Sequence, residues 1–510
     1  MTTTAPGLDP DIRTAPVDGA VDRAREGALS LSRLSVPERL EHLAALRRVI
    51  LGRREEILDR VAAETHKSRS DILMSEFFGA LDALAWLERN ATAALADEKI
   101  PTPLTLMGKK SRIQYEPLGV MLVISPWNYP FYQAIVPIGF ALAAGSTVVY
   151  KPSEWTPLAG LIESLLEDAA IAPAWVQIVQ GGGEVGAALV EQRPDKVMFT
   201  GSSRTGRRIM SAAAEHLVPV ELELGGKDPM IVFDDVNLRR TAAGAVFGAL
   251  TAGGQSCTSV ERLYVQSGLH DALVDEIVAQ VERLRPAAGP EGELGRMITP
   301  FQTEIVAAHV TDAVERGATL RTGADWDRAS HEIPPLVLTG VPADALIATE
   351  ETFGPVLPVF SFETEGEAVA AANASPYGLT ASVWSADAER ADRVARALRC
   401  GGVSINNVMA TEATPALPFG GVGESGLGRY KGVHGLRAFA NAKSVIVDSD
   451  GTKNEPNWFP YDERKYALFV KMMEAWFSDS PTRLAKFGVL GTRLESWTAK
   501  SFVRWRGRSR

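Results

Sequence analysis

Gly119-Val120-Met121-Leu122-Val123-Ile124-Ser125-Pro126 is the stretch that decides how this chain of 510 residues folds. Five consecutive apolar residues leave no polar face, so the run predicts a strand covered on both sides, as in a parallel sheet. A helical stretch follows, and Ser146-Thr147-Val148-Val149-Tyr150 repeats the pattern before Lys151-Pro152. Residues 158–169 read as helix. Val176-Gln177-Ile178-Val179 reads as strand, and Lys196-Val197-Met198-Phe199-Thr200 as another strand closed by Gly201. The order recurs after Leu224, with strands near Met230 and Leu263 and helices reaching Leu250 and Leu284. Strands alternating with helices imply right-handed crossovers and open sheets covered on both faces. Upstream, Leu40, Leu43, Leu46, Ile50 and Leu51 recur at helical spacing inside a helical region spanning 36–95. The expected fold class is α/β, with two doubly wound parallel-sheet domains in succession.

A chain of this length exceeds what one hydrophobic core organises. Its 45% apolar and 23% charged residues are ordinary globular composition. Two cysteines build no disulfide framework, and a reactive thiol calls for a reducing, cytoplasmic compartment. Residues 1–20 lack a cationic start followed by an apolar core, so no secretory signal is expected. The most apolar stretch, 134–150, is interrupted by Pro137, Gly139 and Gly145 and is too short for a bilayer span. Seven scattered histidines predict no metal site. A net charge of −10 argues against a nucleic-acid partner. That charge is uneven: residues 451–510 hold 12 Lys/Arg against 6 Asp/Glu, so this tail is +6 and the rest −16.

Cys257 lies in Gly253-Gly254-Gln255-Ser256-Cys257-Thr258, a glycine-loosened loop, and Glu223 opens Glu223-Leu224-Gly225-Gly226-Lys227. A thiol and a carboxylate from separate segments suggest a nucleophile and the base that serves it. The alternative for a free cysteine is a small buried hydrophobe, the reading given to Cys400. The apolar neighbours of Glu223 predict a buried strand end, with Glu221 as the solvated member of the pair.

Seven segments, in this order, resemble the aldehyde dehydrogenase superfamily across about 36–449: Pro126-Trp127-Asn128-Tyr129-Pro130, Lys151-Pro152-Ser153-Glu154, Phe199-Thr200-Gly201-Ser202, Glu223-Leu224-Gly225-Gly226-Lys227, Gly254-Gln255-Ser256-Cys257, Glu351-Thr352-Phe353-Gly354-Pro355 and Pro418-Phe419-Gly420-Gly421. The resemblance implies oxidation of an aldehyde through a thiohemiacetal and a thioester on Cys257. Asn128 and the backbone N–H of Cys257 would face the oxyanion, and Glu223 would activate the hydrolytic water. It further implies a dinucleotide cofactor. Gly201, Ser202 and Gly206 would lie at its phosphates, Lys151 and Glu154 at the adenosine ribose, Glu351 and Phe353 at the nicotinamide, and Ser125, Pro126 and Trp127 in the same cleft. The Glu154 carboxylate would repel a 2′-phosphate, which favours NAD over NADP. The implied layout is a cofactor domain at 1–100 and 118–224, a catalytic domain at 225–428, and oligomerisation segments at 101–117 and 429–450. These segments would assemble a homodimer or homotetramer.

The expected substrate tunnel runs near Tyr129, Tyr132, Ser256 and Thr258, with a loop at 408–417 that contains no Arg or Lys. A carboxylate-bearing semialdehyde would want a cation there, so an apolar aliphatic or aromatic aldehyde is expected. A coenzyme A-acylating enzyme would need no hydrolytic base, and a non-catalytic member of the fold would be expected to lack one of Cys257, Asn128 or Glu223. In the helical C-terminal extension, Tyr466, Phe469, Met473 and Trp476 share a stripe, as do Leu484, Phe487, Leu494 and Trp497. Packing of these stripes on protein is expected. The alternative is that this basic, Trp-rich extension lies on an anionic membrane as a peripheral contact.

Overall fold

A computed structural model describes residues 15–106, 108–287, 291–328, 330, 332–449 and 451–506. They form two compact units, one of 15–96 and 114–443 and the other of 97–113 and 444–506. A three-stranded sheet is built from β1 (Glu98–Ile100), β2 (Lys109–Pro117) and β16 (Ala440–Asp448), in that order.

The first large sheet contains β3 (Val120–Ile124), β4 (Thr147–Lys151), β5 (Val176–Ile178), β6 (Lys196–Thr200) and β7 (Val220–Glu223), all parallel, with the short β15 (Gly426–Leu427) antiparallel to β7. Its order is β15-β7-β6-β3-β4-β5. The strand that begins the sheet in sequence is therefore central. The chain then proceeds outward to one side through β4 and β5, and to the other through β6 and β7. The strand order therefore reverses between β3 and β6, and sheets of this kind hold ligands at the carboxyl ends of the strands beside such a reversal.

The continuous apolar run is explained by two cores. Met121 and Val123 pack into one with Val148 and Tyr150, while Val120, Leu122 and Ile124 pack into another with Val149 and Val197. Helix α1 (Pro130–Ala144) is buried along its whole length. Helix α2 (Ser203–Ala214) follows β6 and is capped by Ser202 Oγ, which accepts from Thr205 N at 3.3 Å. The helix expected over 158–169 runs from Leu161 to Asp168. Its start is delayed because Leu158 and Gly160 both have positive φ, and Leu158 N donates to Glu64 Oε2 instead of entering a helix.

The second sheet comprises β8 (Asp228–Val232), β9 (Val260–Gln266), β10 (Thr319–Leu320), β11 (Leu336–Thr339), β12 (Val356–Phe362), β13 (Thr380–Trp384) and β14 (Gly402–Ile405). The order is β10-β11-β12-β9-β8-β13-β14, parallel except at β10. Helix α3 (Leu238–Leu250) covers Met230, Val232 and Leu263 on one face; Ile231 and Val383 meet Ala391 and Val394 on the other. Both sheets are doubly wound, so the α/β architecture is as expected.

Two sequence expectations need correction. Glu221 is not solvated: it is 1% exposed, and its Oε2 accepts from Lys196 Nζ at 2.6 Å. On a strand buried from both sides no position is free for a solvated charge, and the adjacent strand supplies its partner. The aromatic stripes of the extension also divide. Helices α4 (Glu463–Trp476) and α5 (Arg483–Arg506) pack together as a hairpin, with Trp476 against Phe487 at 4.8 Å and Leu494 1% exposed. Tyr466, Met473 and Leu484 face outward, at 72%, 55% and 57% exposure. The cause lies in Lys465, which is fully buried and donates through Nζ to the carbonyls of Trp458 and Pro460. That bond turns its own face of α4 inward and its neighbour Tyr466 out.

Candidate active site

The loop before Cys257 is held in a shape that few sequences adopt. Ala252, Gly253 and Gly254 all have positive φ, and a Cβ on Gly254 would lie 2.0 Å from the carbonyl oxygen of Gly354. Gln255, fully buried, clamps it: Nε2 donates to Ala252 O at 2.8 Å and Oε1 accepts from Ile298 N at 2.9 Å. Asp71 Oδ2 accepts from Ala252 N at 2.8 Å. Asn128 Nδ2 donates to Gln255 O at 2.9 Å, which ties the turn before α1 to the cysteine loop and leaves one amide hydrogen and a buried Oδ1 unused. A flipped amide would set two acceptors against each other, so this orientation is the satisfied one.

The turn itself is fixed from below. Glu76, in a π-helical segment (Leu73–Phe78), is fully buried; its Oε2 accepts from Phe131 N and Tyr132 N, and its Oε1 pairs with Lys67 Nζ at 2.8 Å. Lys67 also stands 3.7 Å over the Tyr129 ring. A π-helical insertion at such a place marks a positioning device.

Glu223 ends β7 beside Thr200, and both line the same cavity as Cys257. Glu223 is 2% exposed, and neither carboxylate oxygen has a hydrogen-bond partner. Burial, then the neighbouring Glu221, push its pKa well above the usual carboxylate range, against the pull of Arg429 and Lys431. Burial likewise raises the Cys257 thiol, assisted by Glu412, Asp228, Glu351 and Glu223. The cavity holds about 1050 Å³ and is walled by Met74, Phe78, Tyr132, Val246, Phe247 and Leu250.

Lys431 was not singled out in the sequence. It is fully buried, donates through Nζ to Glu412 O, and lies 4.9 Å over the Phe419 ring and 5.6 Å over that of Tyr430. Glu412, Phe419 and Tyr430 all line the cavity, so this ammonium stands behind its wall rather than in it. A lysine between Tyr430 and Gly432 in a glycine-rich run was the available signal.

The expected cofactor residues gather at the carboxyl ends of the first sheet and beside it. Ser125 Oγ donates to Gln133 O at 2.9 Å, and Lys151 Nζ meets Glu154 Oε2 at 3.3 Å. Gly201 and Ser202 form the turn into α2, and Gly206 lies in its first turn, where a Cβ would approach Leu224 to 2.6 Å. Pro126 adjoins Trp127, whose ring meets Phe353 edge-on at 5.4 Å. Glu351 Oε1 accepts from Gly226 N at 2.9 Å, and burial, then Glu261, push it up to about 8. The turn carrying Glu351 and Phe353 is held by Glu261, which takes the N–H groups of Thr352 and Phe353 and pairs with buried Lys227 at 2.6 Å. Glu261 and Lys227 were also missed; a charged residue inside the apolar strand β9 was their signal. Cys400 is half-buried, with its thiol donating to Gly402 O at 3.3 Å.

A half-buried thiol and an unpartnered buried carboxylate thus line one largely apolar cavity. The aldehyde dehydrogenase family model matches residues 8–445. The chain belongs to the aldehyde dehydrogenase family. It is similar to a 4,4′-diapolycopene aldehyde oxidase of Methylomonas sp., 39% identical with 92% of this chain and 88% of that one covered. Among solved structures it resembles an NAD-dependent aldehyde dehydrogenase from Sinorhizobium meliloti (TM-score 0.81, 34% identical, covering 87% and 88%). A second is the NAD+ complex of an aldehyde dehydrogenase from Bacillus cereus (TM-score 0.80, 33% identical, covering 85% and 89%).

The raised pKa of Glu223 has a consequence for this family member's stability. The native state holds a proton that the unfolded chain releases. The contribution is therefore complete below the ordinary carboxylate range and is lost as pH rises toward the folded pKa. Glu223→Gln should stabilise the protein more at pH 8 than at pH 5, as read by thermal unfolding at both values. An equal change at the two pH values contradicts the assignment.

Proposed function

We propose that this enzyme oxidises a long, apolar aldehyde to its carboxylic acid with NAD, through a thioester on Cys257. The observation that carries the reading is the buried, unpartnered carboxylate of Glu223 on the same apolar cavity as the Cys257 thiol. Burial raises the proton affinity of both Glu223 and Cys257. When the thiol sulfur bonds to the carbonyl carbon, its proton leaves for solvent water and the carbonyl electron pair moves to oxygen. The unused Asn128 amide hydrogen and the Cys257 N–H receive that oxyanion; one such donor is worth about 3 kcal/mol.

The residues at the strand ends suit a dinucleotide: open N–H groups at the start of α2 for its phosphates, the Lys151–Glu154 pair for a ribose, and Trp127, Glu351 and Phe353 for the nicotinamide. Bound there, NAD supplies the hydride acceptor that turns the adduct into a thioester. Glu154 disfavours the extra phosphate of NADP. Ionised Glu223 then takes a proton from water, the hydroxide adds to the thioester, and the carbon–sulfur bond breaks to free the acid, the proton passing from Glu223 to the departing sulfur. A base with no competing hydrogen bonds favours water over coenzyme A as the acceptor.

The apolar walls, with Glu412 as a cavity-lining anion, favour an apolar substrate over an acidic one, and a cavity of about 1050 Å³ suits a long one. The similarity to a protein named for a diapolycopene aldehyde supports the same class. We further place the enzyme in a reducing cytoplasm, as a homodimer or homotetramer joined near 101–117 and 429–450. Open edge strand β16, with Ile446 52% and Val447 40% exposed, supports the contact between copies.

With a long-chain aldehyde and NAD, Cys257→Ala should give no NADH. Glu223→Gln should give a burst of about one NADH per site and then a steady rate lowered on the order of a hundredfold or more. Normal steady turnover in either variant contradicts the roles. Lys431→Met removes a cation that favours ionised Glu223, so the acid limb of kcat should move to higher pH. An unmoved limb shows that Lys431 only fills space.

A further inference from the structure

One short segment carries both a wall of the cavity and the braces of the catalytic loops. Met74, Ser75, Phe78 and Gly79 line the cavity. Asp71, just before them, accepts through Oδ2 from Ala252 N, five residues ahead of Cys257. Glu76, among them, accepts through Oε2 from Phe131 N and Tyr132 N, three and four residues after Asn128. Wall and brace are joined directly: Ser75 Oγ donates to Asp71 O at 2.8 Å and lies 3.0 Å from Asp71 Oδ1. Gly79 sits so close to the Tyr132 ring that a Cβ would approach it to 3.0 Å. The π turn Leu73–Phe78 underlies this arrangement, and such turns gather at functional sites. Toward the cavity the segment is bare: Met74 is 65% and Phe78 58% exposed, whereas Val246 and Leu250, elsewhere on the wall, are buried.

We propose that segment 71–79 makes the rate of Cys257 acylation depend on the length of the aldehyde. A long chain covers Met74 and Phe78 and supplies the packing that the π turn lacks. The braces at Asp71 and Glu76 then hold the cysteine loop and the Asn128 turn in the reactive geometry. A short aldehyde reaches Cys257 but leaves those two side chains in water and the braces loose. Binding energy gained far from the carbonyl is thus realised as rate and not only as affinity. Met74 and Phe78 are specificity-determining residues in this scheme. Asp71 and Glu76 are positioning residues, acting on the thiol and the amide through the backbone groups they hold. The inference rests on the long apolar substrate proposed above.

The test is the maximal rate of the NADH burst, read by stopped flow at saturating NAD with butanal and with decanal. The wild-type rate should be about tenfold higher for decanal, the lower end of what one methylene gives in an apolar site. M74A/F78A should bring the two rates within about twofold of each other. Asp71→Ala should lower the decanal rate on the order of a hundredfold, the cost of a misplacement of about 1 Å, and abolish the rise. Asp71→Asn keeps an oxygen that can accept from Ala252 N and should restore both rate and rise. Glu76→Gln would leave Lys67 buried and unpaired, so Asp71 is the brace to change. Equal maximal rates for the two aldehydes in wild type, with decanal merely half-saturating at lower concentration, overturn the proposal. So does an Asp71→Ala protein that is slower with both aldehydes yet keeps the wild-type ratio, since Asp71 would then only support the fold. No oxidation of decanal by wild type, with butanal oxidised normally, would instead sink the substrate reading.

Discussion

A carboxylate shut away from water with neither oxygen hydrogen-bonded is the costly feature of this protein, and the rest of the site is arranged around it. Buried polar groups are normally satisfied, and leaving one unsatisfied costs about 1–3 kcal/mol, more for a charge. Glu223 is kept in that condition by backbone neighbours that offer it nothing. Gly420 passes so close that a Cβ there would lie 2.7 Å from Glu223 Oε1, and β15 covers the end of β7 through Gly426. Arg429 and Lys431 temper the cost through charge alone. A group so placed has its proton affinity raised and its lone pairs free, which is what an attacking water needs.

Holding thiol, amide and carboxylate together requires rigidity drawn from distant sequence. The cysteine loop is clamped by Gln255, by Asp71 from the helical region and by Asn128 from the start of α1. The Asn128 turn is in turn fixed by Glu76 and Lys67. The strained backbone at Ala252 persists because several independent bonds over-determine it. The same logic holds Phe353, another residue with positive φ, through Glu261 and Lys227.

How much of this was legible in sequence follows from range. Strand β3 was plain because burial on both faces leaves no polar position, and Cys257, Glu223 and Asn128 stood out through their glycine- and proline-marked surroundings. Glu221 was misread as solvated because a glutamate is ordinarily wet, whereas a doubly covered sheet has no wet face. Lys431, Glu76, Glu261 and Asp71 were not seen. Each acts through a partner or loop that only the fold brings near, such as Ala252 for Asp71, so even the local signals at Lys431 and Glu261 named no role. The extension illustrates the same limit: helical periodicity located its apolar residues, but the pinning of Lys465 decided which of them point outward.

The claim on which everything turns is that substrate carbon becomes bonded to one sulfur and waits there for Glu223. Intact and peptide mass spectrometry of the Glu223→Gln protein, quenched in acid during turnover of a long-chain aldehyde with NAD, tests this most directly. The expected result is an added acyl group, two hydrogens lighter than the aldehyde adduct, on the peptide containing Cys257 and at close to one per chain. An unmodified Cys257 in a protein that has already released NADH would contradict it.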